Sequence, residues 1–292
     1  MNDFAVFILT HGRADNVVSL KTLKSHGYKG KWYIVIDDED DQKEKYIRNF
    51  GKDHVIEFCK QDVYNKIDTF DNFNNHRAII YARNAAWDIA EKLGLKYFLE
   101  FDDDYTSVEA RWIEGEKLLV KKIWNADRLF ENMIKFLDES DALTVALAQG
   151  GDFVGGAGGG NAQKGLLRKA MNTFFCRTDK RFEFSGTINE DVNTYTTLSH
   201  RGNKIFTYTG ASIVQKATQS QAGGMTEMYL DGGTYLKSFY SVISCPSAVR
   251  VSLMTAKHKR IHHKIDWNAC APKILNEKYK KRVNNNAEGR RI

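Results

Sequence analysis

Three consecutive carboxylates, Asp102, Asp103 and Asp104, close the run YFLEFDDDYTS at residues 97–107. Packed that closely, they repel one another and raise each other's pKa unless a cation joins them. If Tyr97–Phe101 is a strand, alternation lets Asp102 and Asp104 point one way and turns Asp103 aside. That arrangement suits Mg²⁺ or Mn²⁺, which takes one or two carboxylates and completes its shell with water and phosphate oxygens. A turn of solvated acids is the plain alternative. A second acid pair, Glu190-Asp191, opens a helix-like segment in FEFSGTINEDVNTYT. The helix dipole and capping explain one acid in a first turn easily and two less well. A third group is His262-His263 in KHKRIHHK (257–264), where an imidazole could bind a metal or the pair could simply lie at the surface.

The elements around these groups read as alternating strands and helices. Phe4–Leu9, Trp32–Ile36, Val55–Phe58, Tyr97–Phe101 and Leu143–Ala148 are short apolar runs, rich in β-branched and aromatic residues, and predict strands. Asp15–His26 has helical spacing with Asp15 as N-cap. Arg77–Leu93 reads as an amphipathic helix closed by Gly94, and Ala126–Leu137 as another. The second half is more mixed, with strands expected at Met171–Cys176, Phe182–Ser185, Ile205–Thr209 and Ala248–Leu253 and a helix at Asp191–Ser199. The pattern predicts an open, mostly parallel α/β sheet. In such sheets ligands bind beyond the carboxyl ends of the strands. Thr10-His11-Gly12-Arg13, Asp37-Asp38 and Asp102-Asp103-Asp104 all follow strands, so parallel strands would bring them to one edge. Asp37, next to its strand, is suited to accept hydrogen bonds from a ribose or base, whereas 39–41 reads as a solvated loop. Gly150–Asn161 holds seven glycines within residues 150–160 but completes neither a P-loop nor GxGxxG, leaving a lid or an ordinary loop.

Composition narrows the class. The 292 residues suffice for one large α/β domain or two small ones, and two prolines leave no Pro-rich linker. Four scattered cysteines without CxxC read as reduced thiols rather than a disulfide framework or zinc cluster. The opening MNDFAVFILTHG does not read as a signal peptide, and no apolar run approaches the ~18 residues of a membrane span. Of the +6 formal charge, the stretch from Lys257 onward carries eleven Lys/Arg against three Asp/Glu, which leaves the body close to neutral. A basic end on such a body points to a polyanionic partner or to a solvated terminus.

These pieces, in this order, resemble a GT-A glycosyltransferase, with its Rossmann-like nucleotide half, DxD motif, later xED acid pair and C-terminal histidine. FILTHGRADNVVSLKTLKSHGYKGKWYIVIDDED, RAIIYARNAAWDIAEKLG, YFLEFDDDYTS, AQGGDFVGG, INEDVNTYT, SQAGGMTEMYLDGGTYLKSFYSV and HHKIDWNACAPKIL together resemble the phage-encoded TET-associated glycosyltransferases over most of residues 4–275. The resemblance implies a single domain over 1–275, with a nucleotide-sugar half (1–105), an acceptor half (106–275) and a basic tail (276–292). It implies sugar transfer from a UDP-sugar, with Mn²⁺ or Mg²⁺, to the 5-hydroxymethyl group of a pyrimidine in DNA, inside an infected bacterial cell. The implied donor-binding residues are Thr10, His11, Gly12, Arg13, Asp37, Arg77, Arg83, Asp102 and Asp103. Asp102 and Asp104, with His262 or His263, are the implied metal ligands. Asp191, beside Glu190, is the implied catalytic base. Lys257, Lys259, Arg260 and Lys264 are the expected DNA contacts. A GT-A transferase with another acceptor, a metal-dependent nuclease and a DNA-binding subunit with a dead site are the alternatives.

Overall fold

The structure is a computed structural model and describes residues 2–72, 76, 78–159, 162–215, 226–255 and 259–280. Its centre is a nine-stranded sheet. The strands are β1 (Phe4–Leu9), β2 (Lys31–Asp37), β3 (Val55–Phe58), β4 (Tyr97–Asp102), β5 (Tyr105–Glu114), β6 (Lys117–Lys122), β7 (Thr144–Gln149), β8 (Phe174–Arg177) and β9 (Ile205–Gln215), in the order β3-β2-β1-β4-β8-β7-β9-β5-β6. β1 pairs in parallel with both β2 and β4, and β2 with β3. β8 runs against β4 and β7, β7 is parallel to β9, and β5 runs against both β9 and β6. The sheet is therefore mostly parallel, with β8 and β5 reversed, as the α/β pattern predicts.

β1 shows why the apolar runs were readable. All six of its residues are buried. Ala5, Phe7 and Leu9 enter the core on one face, packed with Trp87 and Phe98, and Phe4, Val6 and Ile8 enter the core on the other, packed with Phe130 and Phe175. A strand covered on both sides has no polar face to show, so it reads as a continuous apolar run. The covering helices are α1 (Val18–Ser25), α2 (Lys43–Phe50), α3 (Lys60–Tyr64), α4 (Ile80–Lys92), α5 (Ala126–Ser140) and α6 (Glu190–His200). α4 ends as expected at Gly94, whose φ of +64° is the left-handed geometry a glycine adopts without cost.

Beyond the sheet lie α7 (Thr226–Ser244), the antiparallel hairpin β10 (Val249–Thr255) and β11 (Lys259–Ile265), and the short α8 (Trp267–Cys270).

Several expectations are corrected. The first helix starts at Val18, not Asp15; no side chain caps it, and the Asp15 carboxylate instead pairs with Lys45. Phe182–Ser185 is not a strand. Its aromatic rings pack on Trp87, and the Asn84 amide stands in for a neighbouring strand at Phe184, donating to its carbonyl (3.0 Å) and accepting from its N–H (3.0 Å). The β5–β6 hairpin, turning at Gly115 with φ +60°, and α7, with Gly232-Gly233 in its interior, are elements the sequence did not announce.

Candidate active site

The register places Leu9 level with Asp102 on one side and with Val35 on the other. The carboxyl ends of β1, β2 and β4 therefore do share an edge, and Gly150–Gly159 joins them there because β7 runs the same way.

The loop after β1 is held from two sides. Thr10 Oγ1 donates to Asp103 Oδ2 (2.6 Å), and Arg13 Nη1 lies 2.9 Å from Asp103 Oδ1. Asp40 Oδ2 accepts from the Gly12 N–H (2.8 Å), and the Tyr46 hydroxyl accepts from the Arg13 N–H (2.8 Å). Asp103 is thus turned away to order this loop. Asp37 is likewise occupied: His11 Nδ1 sits 2.8 Å from one oxygen and Lys60 Nζ 2.8 Å from the other. Burial pushes the Asp37 carboxyl up, but those two partners more than offset it and leave it below the usual range. The same contact raises the His11 imidazole. In this loop the His11 side chain is 40% exposed, against 16% for that of Arg13.

Asp102 and Asp104 flank the occupied Asp103. Burial raises Asp104 to about 7, helped by the charges of Asp102 and Asp103 and opposed by Arg13. Asp102 is also raised by burial and held down mainly by Arg83.

Arg83, from the first turn of α4, organises the centre. It is 1% exposed. Its Nε reaches Glu190 Oε1 (3.0 Å), Nη1 reaches Glu100 Oε2 (3.2 Å) and Nη2 reaches Asp102 Oδ1 (3.1 Å). The rings of Phe174 and Phe184 lie 5.2 and 5.6 Å from its guanidinium carbon. One planar fork therefore joins the DxD strand to the later acid pair. An open side chain reaching for a donor phosphate is not what the structure gives Arg83; it sits inside the protein, between carboxylates. Burial lifts the Glu100 carboxyl to about 8, with the Arg83 cation the main influence opposing the rise.

Glu190 and Asp191 are both buried in the first turn of α6. Burial raises Asp191 to about 7, with Glu190 adding to the rise and Arg83, the Val192 N–H and Lys237 opposing it. The dipole of α6 favours the charged form, and desolvation outweighs it. Lys237, on α7, is itself lowered by burial and lies within the field of Asp191, Glu190 and Arg260. The rings of His262 and His263 on β11 are 4.2 Å apart. Both are lowered by burial, His263 to about 4, with Lys237 contributing. Acid pair, histidines and Lys237 thus form one electrostatic cluster.

Lys259, Arg260 and Lys264 are exposed on β11, and Arg250 on β10 stands exposed opposite Lys264. Arg77 and Lys257 fall outside the described residues. Sequence reading missed Glu100, although a lone acid inside YFLEF was a usable signal. It also missed Lys237 and Arg250, for which no local signal existed. Among the described residues, no three His, Cys, Asp or Glu side chains cluster so as to hold a metal by themselves, and no helix is long and apolar enough to cross a membrane.

No curated protein matches the chain. Among solved structures, glucosyl-3-phosphoglycerate synthase from Mycobacterium tuberculosis with Mg²⁺ and uridine diphosphate superposes at TM-score 0.46 and 9% identity, over 90% of this chain and 88% of that one. The same enzyme with Mn²⁺ and UDP-glucose gives 0.47 and 8%, over 90% and 87%. Likeness this distant carries no argument about the chemistry here. The family model of the TET-Associated Glycosyltransferases, by contrast, matches residues 4–224, a span that holds the β1 loop, the DxD carboxylates, Arg83 and the acid pair and stops before Lys237 and the histidines. The chain belongs to the TET-associated glycosyltransferase family, and the enzyme is a glycosyltransferase.

Proposed function

We propose that the enzyme moves a sugar from a UDP-sugar to the 5-hydroxymethyl group of a modified pyrimidine in DNA, with a divalent metal at the donor diphosphate. The observation that carries this reading is Arg83, which joins Asp102 of the DxD motif to Glu190 of the buried acid pair. In this reading the uridine lies over the Thr10–Arg13 loop beside His11. The metal would be held by Asp102 and Asp104. The residues fit it: two crowded carboxylates, one pushed to about 7, gain from a cation, and diphosphate oxygens and water would complete a hard ion's shell. A bound ion there would neutralise the leaving diphosphate.

Asp191 takes the proton of the hydroxymethyl group as its oxygen bonds to the anomeric carbon and the bond to the diphosphate breaks. Arg83 keeps Glu190 paired, so the negative charge available to the acceptor proton is that of Asp191. DNA, the polyanion, lies along β11. The reading places the enzyme with its DNA substrate, in the infected bacterial cell, with 1–105 serving the donor and 106–275 the acceptor.

Hydroxymethylated and plain DNA, each incubated with a panel of nucleotide sugars and digested to nucleosides, separate the readings by mass spectrometry. A hexose-sized gain confined to the hydroxymethylated base is the expected result; shortened DNA would instead mark a nuclease. Asp104→Asn, which removes charge at nearly constant shape, is expected to abolish most turnover. Full activity in chelator-treated wild type would overturn the metal assignment. Neutralising Lys259 and Arg260 together is expected to weaken DNA binding and to flatten its dependence on salt by about 0.9 in log–log slope per lost phosphate contact. Titrations at several salt concentrations measure this, and an unchanged slope would remove β11 from the DNA interface.

A further inference from the structure

Two segments of the chain, KTLKSHGYKGKW (21–32) and KLLVKKIW (117–124), combine lysine with tryptophan and hold no acid. The fold stitches them together. His26, buried in the turn after α1, faces the Ile123 carbonyl oxygen with Nδ1 and accepts from the Val108 N–H at Nε2 (3.3 Å). Its own carbonyl accepts from the Ala126 N–H (2.8 Å), and Asp127 Oδ1 accepts from the Lys29 N–H (3.0 Å). Gly27, at φ +76°, allows the close approach: a Cβ there would lie 2.5 Å from the Trp124 carbonyl oxygen.

Lys21, Lys24, Lys29, Lys31 and Lys121 are exposed on the two segments, and Lys122 is half-buried. Lys24 Nζ lies 5.1 Å from the Trp32 ring centre and Lys122 Nζ 4.3 Å from that of Trp124; Lys31 Nζ donates to the Asn2 carbonyl (2.6 Å). None of the six meets a carboxylate in an ion pair among the described residues. Glu109, opposite Lys122 in the β5–β6 register, is taken by Arg111 (2.8 Å), and Glu114 faces Lys117 at the far end of the hairpin. Unpaired ammonium groups held in one area attract a polyanion. Trp124 adds a second feature. It is 66% exposed, the most open of the five tryptophans, although an indole gains by burial.

The surface begins near the site. Ser19 Oγ, in α1, donates to the Asp102 carbonyl (2.5 Å), and Lys24 follows about 8 Å further along that helix. A strand whose target base enters the site therefore reaches the lysines within a few nucleotides. Leu20 and Leu23 of α1 pack on the sheet face opposite that of Val192 and Tyr195 of α6, and Ile265 of β11 packs on the α6 side. The surface is thus separate from the basic strand β11. We propose that it holds single-stranded DNA next to the target base, its lysines on the phosphates and Trp124 stacked on an unpaired base. Lysines alone would serve duplex or single strand, but paired bases show only their edges in the grooves, and an unpaired base offers its face to an indole. That the polyanion is DNA rests on the acceptor reading above; the charge and the open indole stand on the structure.

The test is binding of a fluorescently labelled oligothymidylate, which lacks the hydroxymethyl group, to the full chain. Trp124→Ala is expected to weaken binding about 5- to 100-fold, the range for one lost base–aromatic stack, and to weaken binding of a duplex of the same length far less. Lys24→Gln, Lys29→Gln and Lys122→Gln combined are expected to flatten the salt dependence by about 0.7 in log–log slope per lost phosphate contact. The strand is expected to quench tryptophan fluorescence in the wild type and much less in Trp124→Ala. Unchanged affinity and slope in both variants would overturn the proposal, as would equal losses on duplex and single strand. Vesicles of phosphatidylcholine and phosphatidylglycerol that bind the wild type but not Trp124→Ala, with DNA binding intact in that variant, would mark a membrane surface instead. Wild-type protein that binds no DNA would fail the acceptor reading as well. Binding that is lost on neutralising Lys259 and Arg260, yet untouched by the Trp124 and lysine variants, would keep that reading and overturn this proposal.

Discussion

Asp191→Asn is expected to slow turnover by roughly 10²–10⁴-fold, the usual cost of losing a general base, while UDP and metal binding measured by calorimetry change little. The hydroxymethyl group is a weak nucleophile until its proton leaves, and a carboxyl raised to about 7 is a far better acceptor than an ordinary one. Only the ionised form acts, so kcat/KM should rise with pH through about 7 in the wild type, and the variant should lack that limb. Saturating metal isolates the effect, because it would hold Asp104 ionised. The same shift has a second consequence of opposite sign. Asp191 binds its proton more tightly folded than unfolded, so its ionisation costs stability as pH rises towards and through 7. Asp191→Asn never ionises and should therefore be more stable than the wild type above pH 7 in chemical denaturation. NMR of the product's anomeric proton is the decisive check. Retention of the donor's configuration would exclude a single displacement assisted by Asp191.

Arg83→Met is expected to destabilise the protein by about 3–5 kcal/mol, the range for breaking a buried charge network by removing one partner. Methionine fills much of the space between Phe174 and Phe184 and leaves Glu100, Asp102 and Glu190 without their cation. Those carboxyls would then bind protons more tightly in the folded than in the unfolded chain. The stability lost in the variant should therefore be largest near pH 8–9 and shrink as pH falls towards 5, where protonation replaces the missing charge. Denaturant titrations at both ends of that interval measure it. A loss below about 1 kcal/mol at pH 8 would mean that the carboxyls find relief elsewhere and that Arg83 is not the centre of the network. Arg83→Lys makes a companion variant: it keeps the charge but cannot reach three carboxylates with one planar fork.

What could be read beforehand follows from how each feature is encoded. β1, β2 and β4 are legible because burial on both faces writes an unbroken apolar run, and a parallel sheet then brings Thr10–Arg13, Asp37 and Asp102–Asp104 to one edge. β5 and β6 escape because strands such as TSVEARWIE, half exposed, carry charges and few apolar residues. α7 escapes because Gly232-Gly233 reads as a break. The Phe182–Ser185 error has a different origin: a distant side chain, Asn84, meets the hydrogen-bonding needs that a paired strand would have met. Within the site, the residue types were visible but their partners were not. Nothing in local spacing says that Arg83 faces inward to three acids, that Asp37 is shared by His11 and Lys60, or that Lys237 lies near Asp191. Such pairings are set by the tertiary packing of elements far apart in the chain.

The strand order also constrains how the chain reaches this state. β5 follows β4 almost at once in sequence, yet in the sheet three strands separate them, and β5 is held there by β9, with Ala110 beside Ala211. On a ribosome the β5–β6 hairpin would emerge long before the strand that receives it. Until then it would carry an open edge and the exposed side chains Trp112, Ile113 and Val120. Pairings this distant in sequence are slow to form, and an unpaired hairpin awaiting them is a site for misassociation. The lysines of β6, Lys117, Lys121 and Lys122, place charge on the hairpin's other strand, the outer edge of the finished sheet, where it discourages a second chain from pairing both before and after β9 arrives.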